Sequence, residues 1–414
     1  MNRFRAVLAR VFLSSLLACG LAGCASGASM RLRASAWSSS SQRWGLFRNS
    51  AERLGLANPR FRQPARIAWV YELQGTTNGF LDWGPVAANG LIFTPNGLNR
   101  VLALDAKTGA VAWSTPLESN VFSVLLSADG NVLFATTAIT AHPSPTLYAL
   151  DTKTGIVQWN NLTNGQPAIG GIESAPVVDG NEIYVAHLRY NGEGGVFAYD
   201  ARDGTLRWQW KRESQSAISP LALAEGRLYA GFDDQKLFCL DARTGRVVWS
   251  FAPQQTSSLL ASPVVFGSRV FLAWGDAFYA LDSKSGRVIW TTPLKETVEF
   301  SSPALGGGVL YVGTRQGMML AFSARDGKLL WKQPLGSAAI NSSPVLDTAS
   351  KTVWVATADN AVVSLMSTTG EVQNRLLLSQ QAGLGVWKNS IIFYDGRIYV
   401  GSLDKRFYAL EGSS

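Results

Sequence analysis

Histidine and cysteine are almost missing from this chain, two and three residues of 414. His142 and His187 stand on different stretches with no Cys, Asp or Glu at ligand spacing, which removes a zinc centre and His-based acid–base catalysis from the expected functions. No two cysteines are adjacent, and three in a chain of this length do not make a disulfide scaffold. Charged side chains are only 16% of the total. No dense Lys/Arg run interleaved with aromatics occurs, so nucleic acid is not an expected partner despite a formal charge of +8. Helical periodicity is absent over any useful length, and no apolar run is long enough to cross a bilayer as a helix.

What is present is 47% hydrophobic residues, 40 Gly and 14 Trp, the composition of a globular chain with many turns and many large flat anchors. At the N-terminus, Arg3, Arg5 and Arg10 flank an apolar stretch, Val11 to Leu21, of secretory-signal length. Without those three arginines the formal charge falls to +5, a mildly basic surface that favours anionic lipid or polymer. The stretch ends Leu21-Ala22-Gly23-Cys24, which resembles the lipobox of bacterial lipoproteins. The resemblance implies cleavage before Cys24 and acylation of its thiol, a multi-chain anchor that holds stably. Ala25 rather than Asp follows, and by the same resemblance the expected location is the outer membrane, lipid-anchored and facing the periplasm. Cys239 lies in an alternating strand pattern and reads as a small buried hydrophobe.

Three regions are expected. Residues 1–23 are a lipoprotein signal peptide. Residues 24–60 are a flexible tether, Ser/Ala-rich to about Arg43, followed by a short extension, Trp44 through Leu56, that packs on the body. Residues 61–414 are the body, and from Val101 onward it repeats one phrase. Leu102-Ala103-Leu104-Asp105-Ala106-Lys107-Thr108-Gly109 leading to Trp113 returns at Asp151, Gly155 and Trp159, and at Asp200, Gly204 and Trp208. It returns at Asp241, Gly245 and Trp249, and at Asp282, Gly286 and Trp290. A sixth copy has Ser323 for Asp but keeps Gly327 and Trp331; a seventh keeps Gly370, with Met366 and Asn374 at the other two places. Successive glycines are 46, 49, 41, 41, 41 and 43 residues apart, inside the range of about 40–50 that marks propeller blades.

Each phrase is a hairpin: alternating apolar residues, a turn in which Asp caps backbone donors and Gly takes positive φ, and a second strand ending at Trp. A further strand pair precedes it, as in Ser302-Pro303-Ala304-Leu305, Gly306-Gly307-Gly308, Val309-Leu310-Tyr311-Val312. Four strands make one blade. Arg66-Ile67-Ala68-Trp69 matches Arg287-Val288-Ile289-Trp290 but has no turn before it, while Phe407-Tyr408-Ala409-Leu410 ends the chain with no strand after it. These two orphans complete each other. The expected fold is therefore all-β: an eight-bladed β-propeller of four-stranded antiparallel blades, closed by pairing of the N- and C-terminal strands.

The phrase Ala-x-Asp-x-x-x-Gly-x-x-x-Trp resembles the pyrroloquinoline-quinone-type propeller repeat, which occurs in quinoprotein dehydrogenases and in non-enzymatic propellers. With the lipobox and eight blades, the sequence is similar to the BamB-type lipoprotein propellers of the outer-membrane barrel-assembly machinery. That resemblance implies a non-catalytic, protein-binding scaffold in outer-membrane protein assembly or cell-envelope maintenance, monomeric and without a cofactor. The Asp-rich and Arg-bearing docking loops of those relatives have no match here. Two alternatives stay open, a quinoprotein dehydrogenase and an envelope polysaccharide- or signal-binding propeller. The dehydrogenases need an adjacent Cys pair, a calcium site of Glu, Asn and Asp, and a general base on longer blades.

No residue is singled out as catalytic, cofactor-binding or metal-binding. Trp69, Trp113, Trp159, Trp208, Trp249, Trp290 and Trp331 recur at one repeat position and read as wedges between blades rather than a ligand cage. Gly306-Gly307-Gly308 lacks the following helix and Lys-Ser/Thr pair of a phosphate loop. Asp233-Asp234 reads as a solvated turn, without the offsets of a calcium loop. Extra residues in the two longest repeats, Ala138 to Pro145 and Arg189 to Gly195, are the candidate partner contacts, with Arg189 and Tyr190 foremost.

Overall fold

The computed structural model describes residues 43–44, 46–57, 61, 65–74, 84–96, 99–137, 146–162, 171–172, 174–190, 193–213, 219–253, 260–379, 390–402 and 404–412. All lie in the unit Ser35–Ser414, which is separate from the unit Met1–Ala34. The expected signal peptide, residues 1–23, and Cys24 fall outside the described residues. Strands follow one another through eight sheets, each built on antiparallel blade strands, and one short 3-10 turn is the sole helix among the described residues. This is the eight-bladed propeller that the repeat predicts.

Blade 4 shows the plan: Ala222–Ala224 innermost, then Arg227–Gly231, Leu237–Asp241, and Val247–Phe251 outermost. Its two middle strands are sandwiched between neighbouring blades, so they are buried on both faces and read as nearly continuous apolar runs. The outer strand keeps one face in water and exposes Val247 and Val248. The same order builds blade 1 (Val86 to Pro116), blade 2 (Val121 to Asn160), blade 3 (Val177 to Glu213), blade 6 (Ala304 to Pro334) and blade 7 (Val345 to Leu377). In blade 5 the second and third strands run together as Arg269–Asp282. The segment nevertheless folds back on itself, because Ser283 N donates to Ser268 O at 2.8 Å across its two ends. Gly275, at φ 60°, supplies the reversal.

Blade 8 joins the two ends of the body. Ile392–Tyr394, Arg397–Ser402 and Arg406–Gly412 are its inner three strands, and Ala65–Glu72 pairs antiparallel with Arg406–Gly412 as the fourth. Trp69 sits opposite Ala409, as Trp113 sits opposite Ala103 in blade 1. The closure expected from the two orphan strands is the one observed.

The repeated phrase locks each blade to the next. A Cβ added to Gly109, Gly155, Gly204, Gly245, Gly286, Gly327 or Gly370 would lie 2.5–2.7 Å from the indole Cε3 of the preceding blade's tryptophan. Six of those indoles also donate Nε1–H to the carbonyl two residues or so into the turn: Trp69 to Ala106 at 3.1 Å, Trp113 to Thr152 at 2.9 Å, Trp208 to Ala242 at 2.9 Å, Trp249 to Ser283 at 3.0 Å, Trp290 to Ala324 at 3.3 Å and Trp331 to Ser367 at 3.0 Å. Asn374 breaks the series for a topological reason. The blade after it is blade 8, where the turn that would carry the facing glycine is replaced by the meeting of the two ends of the body.

These locks define two unlike faces. On one, the inner pair of strands turns through two positive-φ residues, such as Asn89-Gly90, Glu225-Gly226, Gly307-Gly308 and Asp395-Gly396, which suits the twist of a two-residue hairpin. The Asp-capped turns lie on the same face. Arginines there reach across to the neighbouring blade: Arg227 to Ser283 O at 2.7 Å, Arg269 to Ala324 O at 2.7 Å and Arg397 to Lys107 O at 2.8 Å. On the opposite face lie the ends of the outer strands, among them Pro116, Asn160, Glu213, Phe251 and Leu377, and the tips of the second hairpins.

Candidate functional site

The ends of the outer strands and the tips of the second hairpins open on the second face, away from the tryptophan–glycine locks, so partner chemistry can be built there without touching them. Arg189 and Tyr190 end the strand Glu182–Tyr190, and Tyr190 pairs with Glu193 at the tip of the second hairpin of blade 3. Both therefore stand on the loop-bearing face, as the length of that repeat suggests. The region 138–145 lies outside the described residues.

Beside this tip is a cluster that the sequence does not announce. Gly194 pairs with Arg212 in the outer strand of blade 3. The Arg212 guanidinium lies over three rings, 4.6 Å from Phe238, 5.0 Å from Phe232 and 5.9 Å from Trp210. Its Nη1 and Nη2 donate to Asp234 Oδ1 and Oδ2 at 3.0 and 2.9 Å, a bidentate fork, and Lys236 Nζ stands 3.1 Å from the same carboxylate. Burial pushes the Asp234 carboxyl upward, but Arg212 and Lys236 outweigh it and hold the group below the usual carboxylate range. Asp234, expected in a solvated turn, is instead an ion-pair acceptor between two blades, its side chain only 15% exposed. Aromatics and Arg are the residues that dominate binding surfaces. Here Trp210 and Arg212 meet Phe232, Asp234 and Phe238 of the next blade, 20 or more positions further on, so no local pattern betrays the cluster.

The second feature is the axis of the ring. Arg43–Trp44 pairs antiparallel with the inner strand of blade 1 and Leu56–Ala57 pairs parallel with that of blade 7. Between them the chain runs up the axis and back, giving its carbonyls to inner strands in turn. Leu223 N donates to Ala51 O at 2.8 Å, Val265 N to Glu52 O at 3.0 Å, Leu305 N to Leu54 O at 2.9 Å and Leu346 N to Gly55 O at 2.9 Å. The short extension expected to pack on the body is thus inside it. Leu46, Phe47, Arg48, Ala51, Arg53 and Ala57 are buried.

Among the described residues, the hydrogen-bond acceptors of Arg48 and Arg53 are all backbone carbonyls. Arg53 donates through Nε to Leu221 O at 2.6 Å, through Nη1 to Phe47 O at 2.7 Å and through Nη2 to Pro176 O at 2.7 Å and Ala175 O at 3.3 Å. Arg48 donates through Nε to Arg53 O at 3.0 Å, and through Nη1 and Nη2 to Ser302 O and Pro303 O, both at 2.6 Å. The carbonyls of Ala175, Pro176, Ser302 and Pro303 belong to a phrase that precedes the inner strands, Ser174-Ala175-Pro176, Ser219-Pro220, Ser262-Pro263, Ser302-Pro303 and Ser343-Pro344, and Leu221 directly follows its second copy. Proline and the extended residue before it keep such carbonyls out of the ladder. The serines pass hydrogen bonds round the ring, Ser262 N to Ser302 Oγ at 2.8 Å and Ser302 N to Ser343 Oγ at 3.0 Å. Burial pushes both guanidiniums down to about 9, with Arg53 adding to the effect on Arg48. Both stay charged at neutral pH.

Other residues singled out by sequence take structural places. His187 is buried edge-on to Phe197, ring centroids 4.3 Å apart. Cys239 is buried opposite Trp249, and burial raises its thiol to about 12, which leaves it unreactive. His142 lies outside the described residues. Among the described residues no three His, Cys, Asp or Glu side chains gather where a metal ion could be held.

A closed ring of eight blades, interlocked by Trp and turn glycine, defines a propeller of the pyrroloquinoline-quinone repeat type. A family model described as outer membrane protein assembly factor BamB matches residues 33–216, 192–301 and 275–414, and the chain belongs to that family. The solved structure of BamB from Moraxella catarrhalis superposes with a TM-score of 0.65 at 19% identity, covering 84% of this chain and all of that one. A europium-containing methanol dehydrogenase superposes at 0.73 with 13% identity, covering 90% and 98%; at these identities the likeness shows the fold. In sequence, BamB of Yersinia pestis is 28% identical over 168 residues, 39% of this chain and 40% of that protein. The quinohemoprotein alcohol dehydrogenase ADH IIB of Pseudomonas putida is 29% identical over 151 residues, 35% of this chain and 22% of that enzyme. The matched part is thus less than half the length of these curated relatives.

Proposed function

We propose that the chain is a membrane-anchored periplasmic propeller that works as a non-catalytic scaffold in outer-membrane protein assembly, docking a protein partner on its loop-bearing face. One observation carries the reading. The tryptophan–glycine locks lie on the tight-turn face, whereas Arg189, Tyr190 and the Arg212–Asp234 pair that bridges blades 3 and 4 stand on the other. Membership of the BamB family supports an envelope partner, and the resemblance of Leu21-Ala22-Gly23-Cys24 to a lipobox supports the anchor. Among the described residues no helix is long and apolar enough to cross a membrane.

The likeness to quinohemoprotein dehydrogenases raises a quinone and its calcium as a second reading, and the residues present do not fit them. The chain has no adjacent cysteines, its described acidic residues do not converge on one point, and the axial carbonyls are taken by Arg48 and Arg53. Photo-crosslinkers placed at Arg189 and Tyr190 in intact envelopes are expected to capture a discrete protein, and one placed at Lys107 on the tight-turn face is not. Capture from Lys107 alone would overturn the assignment of the face. Stoichiometric binding of pyrroloquinoline quinone with calcium, followed by alcohol oxidation, would overturn the scaffold reading itself.

A further inference from the structure

We propose that the axial channel is a receptor for a folded-back peptide carrying two arginines, and that residues 43–57 are its resident ligand, recognised by guanidinium–carbonyl contacts. Three observations point there together. The segment is an independent strand partner, pairing antiparallel at one end with blade 1 and parallel at the other with blade 7, as an added peptide does at a sheet edge. Its carbonyls take the inner-edge N–H groups of blades 4, 5, 6 and 7. Its two buried cations are read by geometry: the Arg53 fork spans carbonyls of two blades, Ala175 and Pro176 of blade 3 and Leu221 of blade 4, and the Arg48 fork takes the successive carbonyls of Ser302 and Pro303 ahead of blade 6.

The arrangement selects arginine over lysine. A single ammonium cannot span Leu221 O, Phe47 O and Pro176 O from one side chain in the directions the guanidinium does. It also selects the backbone at Gly55, where a Cβ would lie 2.1 Å from Arg48 Nη2 and 3.0 Å from Pro344 O. The channel therefore reads the order Arg, then Arg five positions later, then Gly two positions after that.

The test separates ligand from tether. A protease site is placed at 58–60 in the full chain, the folded protein is cut, and the two pieces are followed by gel filtration in native buffer. The N-terminal piece is expected to remain bound, and a labelled synthetic peptide of residues 43–57 to exchange for it. A peptide with Arg48→Lys and Arg53→Lys is expected to exchange at least about tenfold less well. Loss of the piece on cutting, or equal exchange of the lysine peptide, overturns the proposal. Should the cut protein fail to stay folded, hydrogen exchange on the uncut R48K/R53K chain decides. Faster exchange at Leu223, Val265, Leu305 and Leu346, with the middle strands of blades 4 to 7 unchanged, supports the proposal. Unchanged exchange at those four amides overturns it.

Discussion

Gly226 and Gly245 share nearly the same backbone, φ 70° and 71°, yet differ in what a side chain would meet. A Cβ on Gly226 has open space, whereas one on Gly245 would lie 2.5 Å from Trp208 Cε3. Gly226→Ala is expected to cost about 1 kcal/mol, the left-handed backbone alone. Gly245→Ala is expected to cost about 3 kcal/mol or more, because the overpacked indole adds to it; urea unfolding of the two variants reads the difference. Asn374 and Ser364 make the opposite case. They face each other where other blades pair Trp with Ala, and Asn374 Nδ2 and Ser364 Oγ are buried without a partner. Ser364→Ala is expected to stabilise the protein by about 1 kcal/mol, since it removes an unsatisfied hydroxyl. The degenerate seventh repeat is legible in the sequence. Its cause is not, because it lies in the neighbouring blade.

The Asp-x-x-x-Gly turn is the element the chain uses most often. In four copies, at Asp105, Asp151, Asp241 and Asp282, the Asp oxygen accepts from the residue three later, as Asp105 Oδ1 does from Thr108 N and Oγ1, both at 2.8 Å; Asp200 instead accepts from Arg202. These bonds hold Asp105, Asp151, Asp241 and Asp282 below 3.8, their ordinary value, and Arg202 does the same for Asp200. A carboxylate whose folded value is depressed adds stability above its unfolded value and loses it as protons return. Thermal stability is therefore expected to be level above pH 3.8 on account of these turns and to fall below it. Melting curves from pH 5 to pH 2.5 test this; replacing Asp105, Asp151, Asp241 and Asp282 together with Asn should flatten the fall. Strand, turn and Trp were readable because they recur every forty-odd residues at fixed offsets. The Arg212 cluster was not, because Phe232, Asp234 and Phe238 come to Arg212 and Trp210 from the next blade, 20 or more positions on.

At the scale of the molecule, closure depends on one strand pair made by residues from the two ends of the body, Ala65–Glu72 with Arg406–Gly412. A chain ending before Arg406 is expected to lose its single cooperative transition and to associate through the exposed edge, which light scattering would register. The composite blade could be foreseen because each orphan strand advertised what it lacked. The axial segment could not, because Arg48 and Arg53 bond to backbone oxygens as far as 255 positions away and leave no side-chain pattern to read. That segment alters how load reaches the ring. A pull on the chain ahead of Arg43 meets Arg43–Trp44 and the arginine forks before it meets Ala65–Glu72. Force is shared among several blades along the axle, as strain relief protects a soldered joint, and the strand that closes the circle is the last to feel it.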